Sequence, residues 1–468
     1  MRAWLSATWQ AIRSSYWFVP SLMSLVAVAL ALALITADRR LPGVAAHAFG
    51  IFAAHGPEGA RALLTTVASS MIGIAGVTFS ILIAAVAFAA GQFGPRILTT
   101  FMRDRANQLS LGTFIATFVY GLVTLAAVQG AGAGETAFVP RLAILGGLGL
   151  GIGSLAMLIH FLHHAPRSIH VSHVVAELGL DLLDGLRHRF PARIGTGAQE
   201  GPDESVIPGR LAEDARPVRA LQPGYVAALS EQALMECANR HDLVIRLVRR
   251  PGDFVSRGHA LAYVWPGRRI DPEASGGDEA ESIVRAVREA FATAHTRTPE
   301  QDSGLLADQL VEIAARALSP GINDPFSAMA ALDWLSAALT HVVRAAPPSP
   351  WRTDSRGQLR VIARPDTFEG LADSVFGRLR PYFERDRNAA LHMMAVLADL
   401  MMAAPDVGAR RHLLRHGEAL RDGARIALAH PADVAEVNRR AAVLRDLLDP
   451  ARNGQRLSDG PHWAGGSA

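Results

Sequence analysis

The sequence predicts an α-helical integral membrane protein with four transmembrane helices and a cytoplasmic α+β region, in which a small β-barrel-like domain precedes a helical domain. Three observations predict it. Nearly all long apolar runs lie before residue 165, and most of the charge lies after it. The stretch Ala62 to Gln92 carries no charge; as a helix it would run roughly 45 Å, more than the ~30 Å hydrocarbon core of a bilayer. From Arg216 to Trp265 the pattern changes to short alternating strands, punctuated by Pro251-Gly252-Asp253 and Arg257-Gly258. The expected division is a four-span unit over 1–165, an amphipathic helix and linker over 166–215, and a small β domain of barrel-sandwich type over 216–270. A helical domain over 271–430 and a terminal helix with a disordered tail over 431–468 complete it.

Composition removes several chemistries. The 468 residues have room for a membrane unit plus one or two further domains. A formal charge of only +3 gives no strongly basic face for nucleic acid. The chain has no lysine, so a phosphate-loop lysine, a Schiff base to pyridoxal phosphate and a lysine-borne biotin or lipoate are excluded. The single cysteine, Cys237, excludes an intrachain disulfide and a paired-cysteine zinc site, and reads as a small buried residue. No cofactor is expected.

The first span is Trp17 to Ala37, read as an uncleaved anchor, with Trp4, Trp9, Tyr16 and Trp17 as its interfacial belt. The second is the uncharged stretch. One of its faces is built wholly of small residues: Ser69, Gly73, Gly76, Ser80, Ala84, Ala87 and Gly91. Such a stripe lets helix backbones approach closely or lines something narrow. Gly94, Pro95 and Arg96 follow as a hinge or gate, leading into a short amphipathic segment with Ile97, Leu98, Phe101 and Met102, read as a passive interfacial anchor with a gate lever as the alternative. The third span runs from Leu111 to Val128. The fourth, Leu142 to Leu162, carries Gly147 with Gly151 and Gly149 with Gly153 as close-packing pairs. Arg2, Arg13, Arg96, Arg103, Arg105, Arg167, Arg187, Arg189 and Arg193 fall on one side, against Arg39, Arg40, Arg61 and Arg141 on the other. That bias places both termini and the large C-terminal region in the cytoplasm. No Asp, Glu or Arg lies inside the spans, which argues against a proton-coupled pump and a voltage sensor.

Span four leaves the membrane through His160, His163, His164, His170 and His173. These are either interfacial histidines or a pH-responsive or metal-binding cluster, whose helical geometry Pro166 interrupts. His173 to Phe190 predicts an amphipathic helix with Val174, Leu178, Leu182 and Leu186 inward; Gly195 to Gly209 reads as a polar linker. The run RRPGDFVSRGHALAYV resembles half of a barrel-sandwich hybrid domain without its carrier lysine. Further on, Leu310, Ile313, Ala314 and Ala317 stripe one helix. Ser319, Pro320 and Gly321 stop it, and beyond Asn323 the next helix is capped by Asp324, with Pro325 at its first position.

The run ALSPGINDPFSA with its preceding Gln301-Asp302, the segment FSILIAAVAFAAGQFGPRIL, and SSYWFVPSL near the start together resemble a bacterial membrane-protein family catalogued as domain of unknown function 2254. The resemblance extends to roughly residue 425 and implies a bacterial inner-membrane protein. It brings no activity, substrate or catalytic residue.

No phosphate loop, nucleophile elbow, His-Glu-x-x-His or metal-spaced Cys/His set is present. His241, Asp242, Asp302, Asn323 and Asp324 are the polar groups that remain for catalysis. The first functional expectation is therefore a homo-oligomeric inner-membrane channel, with span two lining or encircling its axis and the cytoplasmic domains as gate or vestibule. The alternative is a membrane-anchored sensor or scaffold whose cytoplasmic part binds a ligand or partner, and the third a membrane-tethered hydrolase acting through SPGINDP. The expected partners are the lipid bilayer and further copies of the chain; any ion or small ligand is unspecified.

Overall fold

The computed structural model describes residues 17–40, 56–94, 104–130, 138–168, 170–187, 189–198, 215–266 and 277–448. The chain divides between His173 and Val174 into two compact units.

The N-terminal unit contains α1 (Phe18–Arg40), α2 (Pro57–Phe93), α3 (Arg105–Ala127) and α4 (Arg141–Ser168). Helix α3 packs against each of the other three. Its inward side chains mix apolar and polar groups, and some of the polar ones bridge to α4. Thr117 Oγ1 lies 2.9 Å from Ser154 Oγ, and the fully buried Tyr120 donates to the Ala143 carbonyl at 2.7 Å. Gly146 permits that approach, since a Cβ there would collide with the Tyr120 hydroxyl. At the end of α1, Asp38 accepts from the Leu142 and Ala143 N–H groups at 3.1 and 3.2 Å. It thereby caps α4, whose first N–H groups have no partner within their own helix. The outward faces are apolar instead, with Leu25, Phe88, Ile152 and Ile159 exposed, as a surface facing hydrocarbon requires. Helix α2 has 37 residues and is about 55 Å long at about 1.5 Å per residue. Helix α4 continues through Pro166 to Ser168, so that proline does not end it. Trp4, Trp9, Tyr16 and the segment Ile97 to Met102 lie outside the described residues.

The expectation of four spans is corrected. Among the described residues, five helices are long and apolar enough to cross a membrane: the four above and Pro325–Arg344, whose mean hydropathy of 1.3 is the lowest of the five. Asp333 and His341 inside its run set it apart from the uncharged spans before residue 165. In the C-terminal unit this helix, α9, buries Ala328, Leu332, Leu335, Leu339 and Val342 and packs against its helical neighbours.

The barrel is corrected as well. The strands form two open sheets. Six strands, β1 (Thr196–Gly197), β2 (Arg216–Arg219), β4 (Leu243–Leu247), β6 (Ala260–Pro266), β8 (Trp351–Thr353) and β9 (Leu359–Ile362), lie in the order β1-β8-β9-β4-β6-β2. Pair β4–β9 is parallel and the other pairs are antiparallel. The second sheet is β5-β3-β7, from Phe254–Val255, Gly224–Leu229 and Phe291–Ala294. The hairpins of residues 216–266 therefore do not close on each other. They recruit β1 from one side in sequence and β7, β8 and β9 from the other. Helices α6 (Glu231–Arg240) and α7 (Gly277–Glu289) pack on these strands around Ile245, Ala262, Val226, Leu234 and Val287. Cys237 is buried there, and burial pushes its thiol pKa up, away from nucleophile chemistry.

The remaining helices are α5 (Val171–Leu186), α8 (Ser303–Ala317), α9, α10 (Phe368–Phe383), α11 (Arg387–Ala403), α12 (Val407–Ala427) and α13 (Pro431–Asp446). Within α5, Val174, Leu178, Leu182 and Leu186 are all buried, and Gly179 lies against the Trp334 ring of α9. Helix α11, with Met393, Met394, Leu397, Leu400 and Met401 buried, contacts α9, α10, α12 and α13.

Candidate functional site

The C-terminal unit encloses a cavity of about 580 Å³ between the β4–β5 turn, the starts of α8 and α10, and the segment after α5. Its walls are built by local sequence logic. Gly252, at φ 92°, turns the chain back so that its N–H reaches the Val226 carbonyl at 2.9 Å. A side chain there would strike the Asp302 carboxylate. Asp302 caps α8 through the Leu305 N–H at 3.1 Å and takes a two-pronged grip from Arg297, at 2.7 and 2.9 Å. The same guanidinium reaches Asp308 at 2.5 Å, and Asp308 in turn holds Arg378 of α10 at 2.5 Å. Burial works against the charge on Arg297, but Asp302 and Asp308 outweigh it and raise its pKa. Across the cavity, Arg250 pairs with Asp366. Burial pushes the Asp366 carboxyl up, and Arg250 opposes the shift. Thr367 caps α10 through the Gly370 N–H at 3.2 Å.

The charges do not balance. Arginines 189, 249, 250, 297, 364 and 378 line the cavity with aspartates 253, 302, 308 and 366. Arg189 is spent on the carbonyls of Ala345 and Ala346, at 3.4 and 2.9 Å. The Nε of Arg249 is buried with no hydrogen-bond partner, and Arg364 is exposed at the wall. Two helix N-termini open on the same space, adding their partial positive charge. Among the described residues no histidine or cysteine lines it, and the carboxylates are engaged as caps or arginine partners. Excess guanidinium charge and helix N-termini together favour negative charge in this space.

Residues 13–399 match the family described as "Predicted membrane protein (DUF2254)". The chain belongs to that family. Every cavity residue of this DUF2254 protein falls inside the matched segment, which ends short of the reach to residue 425 expected from the motifs. Uncharacterized proteins of Mycobacterium bovis and of two Mycobacterium tuberculosis strains are each 34% identical to it over 307 residues, which is 65% of this chain and 56% of each relative. The DUF2254 chain thus spans little more than half the length of these curated relatives. No solved structure matches it.

The residues singled out from sequence are dispersed over the DUF2254 protein. Ser69, Gly73, Gly76, Ser80, Ala84, Ala87 and Gly91 all lie on the exposed face of α2, and a Cβ at Gly73, Gly76 or Gly91 would meet nothing within 4 Å. The opposite face, with Leu64, Ala68, Met71, Ala75, Leu82 and Val86, is buried on the side that meets α3 and α4. Gly94 ends α2 at φ 109°; Pro95 and Arg96 lie outside the described residues. Among the histidines, His160 and His164 stack at 5.8 Å, and His164 Nε2 lies 2.8 Å from Asp104, the cap of α3. His163, His170 and His173 are exposed.

The SPGINDP segment forms a corner away from the cavity. The Ser319 carbonyl accepts from the Ile322 and Asn323 N–H groups at 3.0 and 2.9 Å, past Pro320 and Gly321. Asn323 takes φ 51°, and Asp324 caps α9 through the Ser327 N–H and hydroxyl, with Pro325 next. Asp242 is held by Arg360 at 2.6 Å, and His241 lies 3.6 Å from Glu279. Of the polar residues named for catalysis, Asp302 alone lines the cavity. The sequence reading missed the arginines. Their only local trace is the pair of motifs RRPGD and RTPEQD, hidden in a chain where every cationic side chain other than histidine is arginine.

Proposed function

We propose that this protein is a membrane-anchored receptor, held in the bacterial inner membrane by its N-terminal helices, whose cytoplasmic unit takes a small anionic ligand into the arginine-lined cavity. The observation that carries the reading is the charge of the wall itself, where six arginines face four aspartates that are already engaged. Carboxylate and phosphate oxygens are the natural acceptors for guanidinium groups in excess of their aspartate partners. A volume of about 580 Å³ suits a small molecule. The test is calorimetric titration of the full chain in detergent with pyrophosphate. Saturable binding is expected, weakened about 10- to 100-fold by Arg249→Gln with Arg364→Gln. The exposed Arg356→Gln is expected to leave it unchanged. No binding, or equal binding by the double variant and the native chain, would overturn the reading.

The exposed small-residue face of α2 favours a second, compatible reading: an oligomer in which these helices pack around an axis and form a channel-like path. In a Cys237→Ser background, Gly76→Cys is expected to cross-link between copies in membranes, and Leu155→Cys on the outer face of α4 is not. Equal cross-linking at both positions, or none at Gly76, would sink it.

A further inference from the structure

His412 and His416 stand four residues apart on α12, so both imidazoles lie on one helix face. Asp373 of α10 meets both. Its Oδ1 lies 2.8 Å from His412 Nε2 and 2.9 Å from His416 Nε2, and the three atoms sit within 4.8 Å of one another. Among the described residues, this is where three groups able to hold a metal converge. It lies outside the cavity, and both histidines fall beyond residue 399, where the family match ends. The side chains are 9% and 15% exposed for the two histidines but 60% for Asp373, so the cluster is walled by protein and open on its carboxylate side.

Tetrahedral zinc, with bonds of about 2.0–2.1 Å, sets neighbouring ligand atoms about 3.3 Å apart. The two Asp373 edges need lengthen only by tenths of an ångström to admit such an ion, while the edge between the imidazoles, within 4.8 Å, closes toward it by rotation of the two rings. One neighbour opposes it. Arg415 Nη2 donates to His412 Nδ1 at 2.5 Å, which leaves the proton of the neutral ring on Nε2, pointed at Asp373. A metal at Nε2 requires that proton to sit on Nδ1 instead, and Arg415 to withdraw. Arg415 is exposed and free to turn into water.

We propose that His412, His416 and Asp373 form a three-ligand site for a divalent ion of the zinc class, with the fourth position open to solvent and Arg415 as the competitor that occupies His412 when no metal is bound. Two imidazoles and one carboxylate suit zinc, and equally cobalt as its surrogate, over calcium or magnesium. Bound metal would tie α10 to α12.

The experiment uses the full chain in detergent, without a histidine tag, stripped with a chelator and titrated with Co²⁺ while visible absorption is followed. One ion per chain with ligand-field bands is expected, displaced by Zn²⁺. His416→Ala should weaken binding about 100-fold, and Arg415→Gln should tighten it about 10-fold, the scale of supporting-shell effects on metal affinity. Asp373→Asn keeps the side chain's shape and a hydrogen-bonding oxygen, and it should also weaken binding; it serves if the histidine variant fails to fold. Three results would each overturn the site: no cobalt spectrum, a spectrum insensitive to His416→Ala and Asp373→Asn, or weaker binding in Arg415→Gln. A simple histidine–aspartate latch between the two helices predicts the first of these.

Discussion

Arg297 ties three elements through two carboxylates, and both Asp302 and Asp308 are nearly buried. Replacing it with methionine leaves Asp302 with only the Leu305 N–H and Asp308 with Arg378 alone, and a loss of about 3 kcal/mol is expected in denaturant unfolding of the full chain in detergent. Arg297→Lys should recover little of that, because an ammonium cannot match the fork. Asp354 makes a pH-dependent contribution. Burial works against its carboxylate, but the Gln358 and Arg356 N–H groups and the Arg360 guanidinium outweigh it and hold its pKa below the ordinary value. A lowered folded-state pKa gives stability that is complete above the unfolded pKa of about 4 and is lost as pH falls through the folded one. The melting advantage of the native chain over Asp354→Asn is therefore constant near neutrality and shrinks on acidification below about pH 4. At this scale the sequence was legible where a side chain acts on its own neighbourhood: Asp324 caps the helix it precedes, and Cys237 is buried. It was illegible where partners meet across loops, as Asp308 meets Arg378. Nothing local distinguishes those arginines from others on the surface.

Among the helices, the approach of α4 to α3 rests on one missing methyl. Gly146→Ala should drive a Cβ into the Tyr120 hydroxyl and cost about 1–3 kcal/mol, the usual scale of overpacking. Tyr120→Phe removes the colliding oxygen along with its bond to Ala143, so the double variant should be more stable than the sum of the two losses predicts. Thermal unfolding in detergent of the two single variants and the double one checks it. Helix positions in the N-terminal unit were legible because an apolar run of that length has few other fates; the ends shifted where polar residues such as Asn107 and Ser110 extend α3 inward. Strand pairing was not. The alternating pattern of β4 and β6 is real, but β4 also pairs in parallel with β9, whose sequence is remote and only four residues long. A half-motif read from one hairpin could not announce that partner, and the barrel expectation failed for that reason.

For the molecule as a whole, the division between His173 and Val174 gives two units with separate cores. A fragment beginning at Val174 is therefore expected to melt cooperatively by circular dichroism. It should also show the pyrophosphate effect of the full chain, since every cavity residue lies beyond that point. A fragment that melts without a transition would mean that the two units depend on one another. The bond from Asp38 to the first turn of α4 carries a topological consequence. It pins the tail of the first rod to the head of the last, so those two ends must emerge in one leaflet. The opposite ends, at Trp17 and Ser168, then surface together on the far side. Whichever compartment receives the start of the bundle also receives its exit, whatever the direction of insertion.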